Sequence, residues 1–171
     1  MKIKIICTGS LKEKYWLSAE GEYLKRLSAY ANVEINEIKE NPLATGASKE
    51  VILKSKNEEG KRLLDKSYTG KSSKAPDASG SKIFRIGLDS KGKDLDSETF
   101  AKTFRMRAIE GRPETHFFIG GSNGLSSDVL DESDMVLSFG KKTFPHQLMR
   151  IILLEQIYRC FKINAGEPYH K

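Results

Sequence analysis

The sequence predicts an α/β fold, a mostly parallel five-stranded sheet with helices on both faces. Strand-like runs alternate along the chain with segments whose apolar residues follow helical spacing, the pattern of strands joined by helical crossovers. The run Phe117-Phe118-Ile119 ends in Gly120-Gly121-Ser122-Asn123-Gly124, and Met135 to Phe139 breaks at Gly140. Both have strand length and composition, and both stop at glycine. In an open α/β sheet ligands collect just beyond the carboxyl ends of strands, so these two ends predict a small-molecule cleft.

Each element follows from its local pattern. Lys2 to Cys7 alternates polar and apolar residues, a strand that Gly9 ends. Trp16 to Leu27 places Leu17, Glu20, Leu24 and Leu27 at helical spacing, and Val33 to Ile38 alternates again as a second strand. Ser48 caps a helix over Lys49 to about Asp65, with Ile52, Leu53, Leu63 and Leu64 as its sparse apolar face. Ile83 to Leu88 is the third strand, and Asp89-Ser90-Lys91-Gly92-Lys93 is turn chemistry. A helix over Ser97 to Glu110 presents Phe100, Phe104 and Ile109 before the two glycine-terminated strands. The last helix covers His146 to Ile163. Its apolar residues occupy more than one stripe, so a second copy of the chain is expected on the face its own sheet leaves over.

A chain of 171 residues, 38% hydrophobic, has the length for one domain with a real core and needs neither disulfides nor a structural metal. Residues 1–171 are therefore read as one domain. Residues 67–82, small, polar and rich in Gly and Ser, form a flexible surface insertion. No run of about 18 apolar residues predicts a membrane span, and the charged start lacks the pattern of a secretory signal. Cys7 and Cys160, far apart and among apolar neighbours, read as buried thiols of a reducing cytoplasm. The formal charge of +6 fits a polyanionic partner or plain solubility equally well.

Several chemistries fail on spacing. The glycines at 120–124 do not meet Gly-x-Gly-x-x-Gly, and Gly140-Lys141-Lys142-Thr143 lacks the earlier glycine of a phosphate loop. His116, His146 and His170 have no mutual spacing for a metal, so none is expected, and no Gly-x-Ser-x-Gly elbow supports a hydrolase. What remains is a cleft of backbone and apolar side chains edged with positive charge. Main-chain groups beyond the strand ends suit the edge of a purine, with Leu88, Leu137, Phe139 and Phe144 as apolar contacts.

The stretches Phe118 to Leu125, Leu137-Ser138-Phe139, Thr143 to Arg150, Leu154 to Arg159 and Gly166-Glu167-Pro168-Tyr169-His170-Lys171 resemble one family nearly end to end. So do Lys12 to Trp16 and Glu22 to Leu27. It is the ribosomal RNA large subunit methyltransferase H group of the SPOUT methyltransferases. The resemblance implies a bacterial homodimer, with a C-terminal trefoil knot, that uses S-adenosylmethionine. It implies methyl transfer to N3 of a pseudouridine in a large-subunit rRNA stem-loop on the assembled ribosome. It places cofactor contacts on Leu88, Gly120, Phe139, Gly140, Lys141, Lys142, Thr143 and Phe144.

Methyl transfer needs alignment, and a proton must leave N3. His146, at a helix start after Pro145, is the first candidate for a role at the base, followed by Tyr169 and His170, which could reach a partner's site. Arg150, one turn beyond His146, should share its face. With Lys141, Lys142 and Arg159 it is a candidate to bind phosphate or orient the base. A Glu155 to Arg159 pair at i, i+4 is the competing use of Arg159. Two other readings are a non-catalytic RNA-binding or ribosome-assembly module and a methyltransferase of a small metabolite.

Overall fold

The computed structural model describes residues 1–68, 83–111 and 114–169. Ten elements alternate along the chain: β1 (Lys2–Thr8), α1 (Lys14–Leu27), β2 (Asn32–Ile38), α2 (Lys49–Ser67), β3 (Ile83–Asp94), α3 (Ser97–Ile109), β4 (Glu114–Ile119), α4 (Ser127–Asp131), β5 (Met135–Ser138) and α5 (His146–Asn164). The strands form one sheet in the order β2-β1-β4-β3-β5, and every pairing is parallel.

Because strand side chains alternate, neighbouring residues feed two different cores. Ile5, Phe117 and Ile119 join Leu27 of α1, Phe100 and Phe104 of α3, and Leu153, Leu154 and Ile157 of α5. Ile6 and Phe118 turn the other way, onto Leu63 and Leu64 of α2 and Val129 of α4. Phe104 stacks on Phe117 with centroids 5.9 Å apart. Full burial of such a side chain stabilises the fold by about 1.5–3 kcal/mol. Cys7 and Cys160 are buried free thiols in the larger core. Burial pushes both up to about 12, so they remain protonated and unreactive near neutral pH.

Local signals set the boundaries. The Ser48 side chain accepts from Val51 N–H to start α2, and Asp96 and Ser126 do the same for α3 and α4. Gly60 lies inside α2 for a packing reason, since a Cβ there would fall 2.1 Å from Ser126 Oγ. No helix among the described residues is long and apolar enough to cross a membrane.

Two expectations are corrected. The segment 89–93 is not a strand-ending turn, because β3 runs on to Asp94 through an irregularity between Leu88 and Lys93. The turn chemistry is real but local, with Asp89 Oδ1 accepting from Lys91 N–H at 2.8 Å. Beyond it the chain rejoins β5, and Gly92 lets it close in, since a Cβ there would lie 2.7 Å from Val136 O. Residue 67 does not belong to the expected insertion. Ser67 is the buried last residue of α2 and Tyr68 is its C-cap, whereas 69–82 lie outside the described residues.

Candidate active site

The cleft expected beyond the strand ends is present, with a volume of about 570 Å³. Leu88, Ile119, Leu137, Phe139 and Met149 give it apolar walls. Gly120, Gly121, Gly124 and Gly140 bring backbone to its edge, and Thr143, Phe144, Pro145 and His146 close one side. Its size and mixture of apolar wall and few polar groups are those of a small-molecule site.

Close backbone approach shapes the floor. A Cβ at Gly120 would fall 2.4 Å from the carbonyl carbon of Gly124, so the loop can double back only over glycine. Gly121 and Gly124 form an isolated bridge, and Gly124 holds a φ of +75°. On the facing side Ser138 Oγ donates toward the carbonyls of Ser90 and Gly140, at 3.3 and 3.0 Å, and accepts from Gly140 N–H at 3.1 Å. That hydroxyl ties the loop after β5 to the extension of β3.

His146 is the first residue of α5, after its N-cap Pro145. Its imidazole lies against Gly9, where a Cβ would be 2.9 Å from Nε2. Gly9 has a φ of +83°, and its N–H donates to Ile38 O at 2.9 Å. The loop after β1 is thereby fixed beside the histidine. Glu40 reaches the same place, 3.6 Å from that Cβ position through Oε2, while its Oε1 accepts from Ser122 Oγ at 3.3 Å.

The cleft unites seven of the eight residues expected to contact a cofactor: Leu88, Gly120, Phe139, Gly140, Lys142, Thr143 and Phe144, with His146 beside them. Lys141 is exposed and lines no part of it. Arg150 does not line the cleft. It is 1% exposed, and its guanidinium donates to Glu37 at 2.7 Å, Glu20 at 3.0 Å and Gly9 O at 3.1 Å, so in this structure it joins α5 to α1, β2 and the loop after β1. Arg159 is taken up by Glu155 at 2.6 Å and by the ring of Tyr169, 4.9 Å from its guanidinium. Tyr169 packs edge-on against Tyr158 at 5.1 Å and is not among the residues that line this cleft. His170 lies outside the described residues.

Sequence reasoning missed Asp89 and Ser90, which line the cleft only because β3 continues past Leu88. It also passed over Ser122 and Met149. Met149 was legible, three residues after His146 on one helix.

The donor set suits S-adenosylmethionine. Apolar walls, a backbone rim that glycine alone allows and the Asp89 carboxylate fit an adenosine with a charged tail. The fold and this cleft define an α/β protein with a small-molecule site at its strand ends. The family model described as "Predicted SPOUT methyltransferase" matches residues 1–170. Proteins named ribosomal RNA large subunit methyltransferase H align over the whole of both chains, at 43% identity from Enterococcus faecalis and 46% from Bacillus thuringiensis and Bacillus cereus. A Legionella pneumophila chain determined with S-adenosylmethionine covers 94% of this chain and 66% of its own, at 12% identity and a TM-score of 0.46, too distant to carry an argument. The chain belongs to the SPOUT methyltransferase family.

Proposed function

We propose that the protein methylates large-subunit ribosomal RNA with S-adenosylmethionine as methyl donor, at N3 of a pseudouridine in a stem-loop of the assembled ribosome. The observation that carries the reading is the coincidence of the cleft with the glycine turns of 120–124 and 139–144, in a chain aligned end to end with relatives of that name.

Leu88, Gly120, Phe139, Gly140 and Phe144 hold the donor in this reading, and Lys142 stands at the rim, where it can meet phosphate. When bound, S-adenosylmethionine supplies an electrophilic methyl group on sulfonium sulfur. The chain contributes alignment and a proton acceptor. The apolar walls exclude water, and the His146 imidazole receives the N3 proton as the nitrogen takes the methyl group. The homodimer, the trefoil knot, a role for the C-terminal tail in a partner's site and a cytoplasmic location belong to the same proposal. Leu148, Ile151 and Ile152 on α5 are only partly buried within one chain, which supports a partner on that face.

The test is methyl transfer from labelled S-adenosylmethionine to intact ribosomes, isolated large subunits and free pseudouridylated RNA in parallel. Label at N3 of the pseudouridine, with ribosomes preferred, is expected. Cofactor binding without label on any of the three sinks the assignment in favour of the small-metabolite or binding-module reading.

A further inference from the structure

A second cleft, about 850 Å³, opens along the same edge of the sheet beyond β1 and β2. It is more polar than the first and shares two lining residues with it, Ser122 and His146. The two clefts therefore meet at the histidine. Nothing in the donor-binding argument uses the second one.

Three features give it a chemical character. Trp16, in the first turn of α1, lines the cleft with a partly buried indole, with the Tyr15 ring 4.9 Å away and itself 62% exposed. Lys12 and Lys39 stand exposed in the walls, and among the described residues neither has an ion-pair partner. Of the carboxylates there, Glu37 is bound by Arg150, while Glu13 and Glu40 stand beside the two lysines, Glu40 accepting a hydrogen bond from Ser122. A flat aromatic face and two lysines in the walls of one cleft are the combination that holds an unstacked nucleotide, with the base on the ring and phosphates on the lysines. Glu40, beside the histidine, is placed to accept an N–H from a base edge.

We propose that this second cleft seats a nucleotide of the acceptor RNA, stacked on Trp16 with its backbone between Lys12 and Lys39, and that His146 marks the passage to the methyl-donor cleft. The proposal rests on the RNA methyltransferase reading. It adds the surface along which the strand arrives, made by the loops after β1 and β2. A small-metabolite enzyme has no use for such a track.

The chain has one tryptophan, so its fluorescence reports this cleft alone. The probe is a short single-stranded uridine oligonucleotide added to the full-length protein, followed by methyl-transfer kinetics on ribosomes. Stacking predicts saturable quenching that weakens with salt. Trp16→Ala is expected to raise KM for ribosomes by about tenfold or more, and Trp16→Phe, which keeps an aromatic face, to recover most of the loss. Lys12→Ala and Lys39→Ala should each reduce the salt slope of binding by about 1. Calorimetric binding of S-adenosylmethionine by every variant shows that fold and donor site survive.

An enzyme that methylates ribosomes yet shows no quenching, with a wild-type KM for Trp16→Ala, overturns the proposal and leaves the functional reading intact. Failure of the wild type to methylate any RNA overturns the functional reading. In that case quenching alone still decides whether the cleft binds nucleotides.

Discussion

Arg150 Nη1 donates to Glu37 Oε1 at 2.7 Å, joining α5 to the end of β2 across 113 residues of sequence. The same guanidinium reaches Glu20 of α1 and the carbonyl of Gly9. One buried cation thus ties α1, the end of β2 and the loop after β1, including the glycine against which His146 rests. Its removal leaves two carboxylates facing each other. Because Glu37 keeps 39% of its side-chain surface exposed and water can screen it, the cost falls below that of a fully buried pair. Arg150→Met is expected to lose about 2 kcal/mol in urea denaturation. Arg150→Lys should recover only part, since an ammonium cannot span three acceptors in one plane.

His146 separates the catalytic reading from the binding-module one. His146→Asn should leave S-adenosylmethionine affinity near wild type while methyl transfer to ribosomes falls by about 10²–10⁴-fold, the usual worth of a proton acceptor. Equal activity in the variant would remove the histidine from the mechanism. Gly9→Ala should act in the same direction, because its Cβ would press on Nε2 at 2.9 Å and its φ of +83° disfavours a side chain.

Gly120→Ala tests the donor cleft from its floor. The new methyl group would meet backbone at 2.4 Å, so the Gly120 to Gly124 loop must open. A loss of about 1–3 kcal/mol in stability is expected, together with at least tenfold weaker S-adenosylmethionine binding by calorimetry. Wild-type affinity in this variant would place the donor elsewhere.

Gly60→Ala offers a purely structural check. Helix propensity alone predicts a gain of about 1 kcal/mol, yet the Cβ would fall 2.1 Å from the side-chain oxygen that caps α4. Overpacking at about 1–3 kcal/mol should win, so thermal melts should show a lower Tm than the native chain.

His116 sets an acid limit on stability. Burial pushes it down to about 4, against a Glu114 hydrogen bond that favours the charged form. At neutral pH the 2.9 Å contact with Glu114 is therefore a hydrogen bond from a neutral ring, although its distance would also suit an ion pair. Nε2–H donates to Glu114, Nδ1 accepts from Ser67 Oγ at 2.8 Å, and Ser67 Oγ accepts from Arg85 Nε at 3.2 Å. The unfolded chain takes up the proton below about 6.5 and the folded chain only near 4. Stability is therefore full above 6.5, falls as pH drops between the two values, and levels off below. The ring is fully buried, so the loss can approach about 3 kcal/mol. Denaturation at pH 7.5 and about pH 4.5 should show that slope, and His116→Gln should flatten it.

The element order, the parallel α/β class, the caps at Ser48 and the glycine-terminated strands were determined by the sequence, because each follows from neighbours within one or two turns of chain. Gly120 and Phe139 were legible as cleft residues for the same reason, each just beyond a strand end that parallel pairing brings to one edge, and Leu88 as the last residue before the irregularity in β3. The tertiary structure decided what depends on distant partners. Asp89 and Ser90 enter the cleft because β3 finds β5 again beyond its bulge, a pairing no local turn signal contains. Arg150 shares a helix with His146 yet turns into a buried network, since Glu20 and Glu37 arrive from elements more than a hundred residues earlier. The second cleft, assembled from two loops, the first turn of α1 and the start of α5, exists only once β1, α1, β2 and α5 are packed. Periodicity along a chain records which face of an element is apolar. Which polar side chains then meet across the gap is set by the strand order, and the sequence carries no local trace of it.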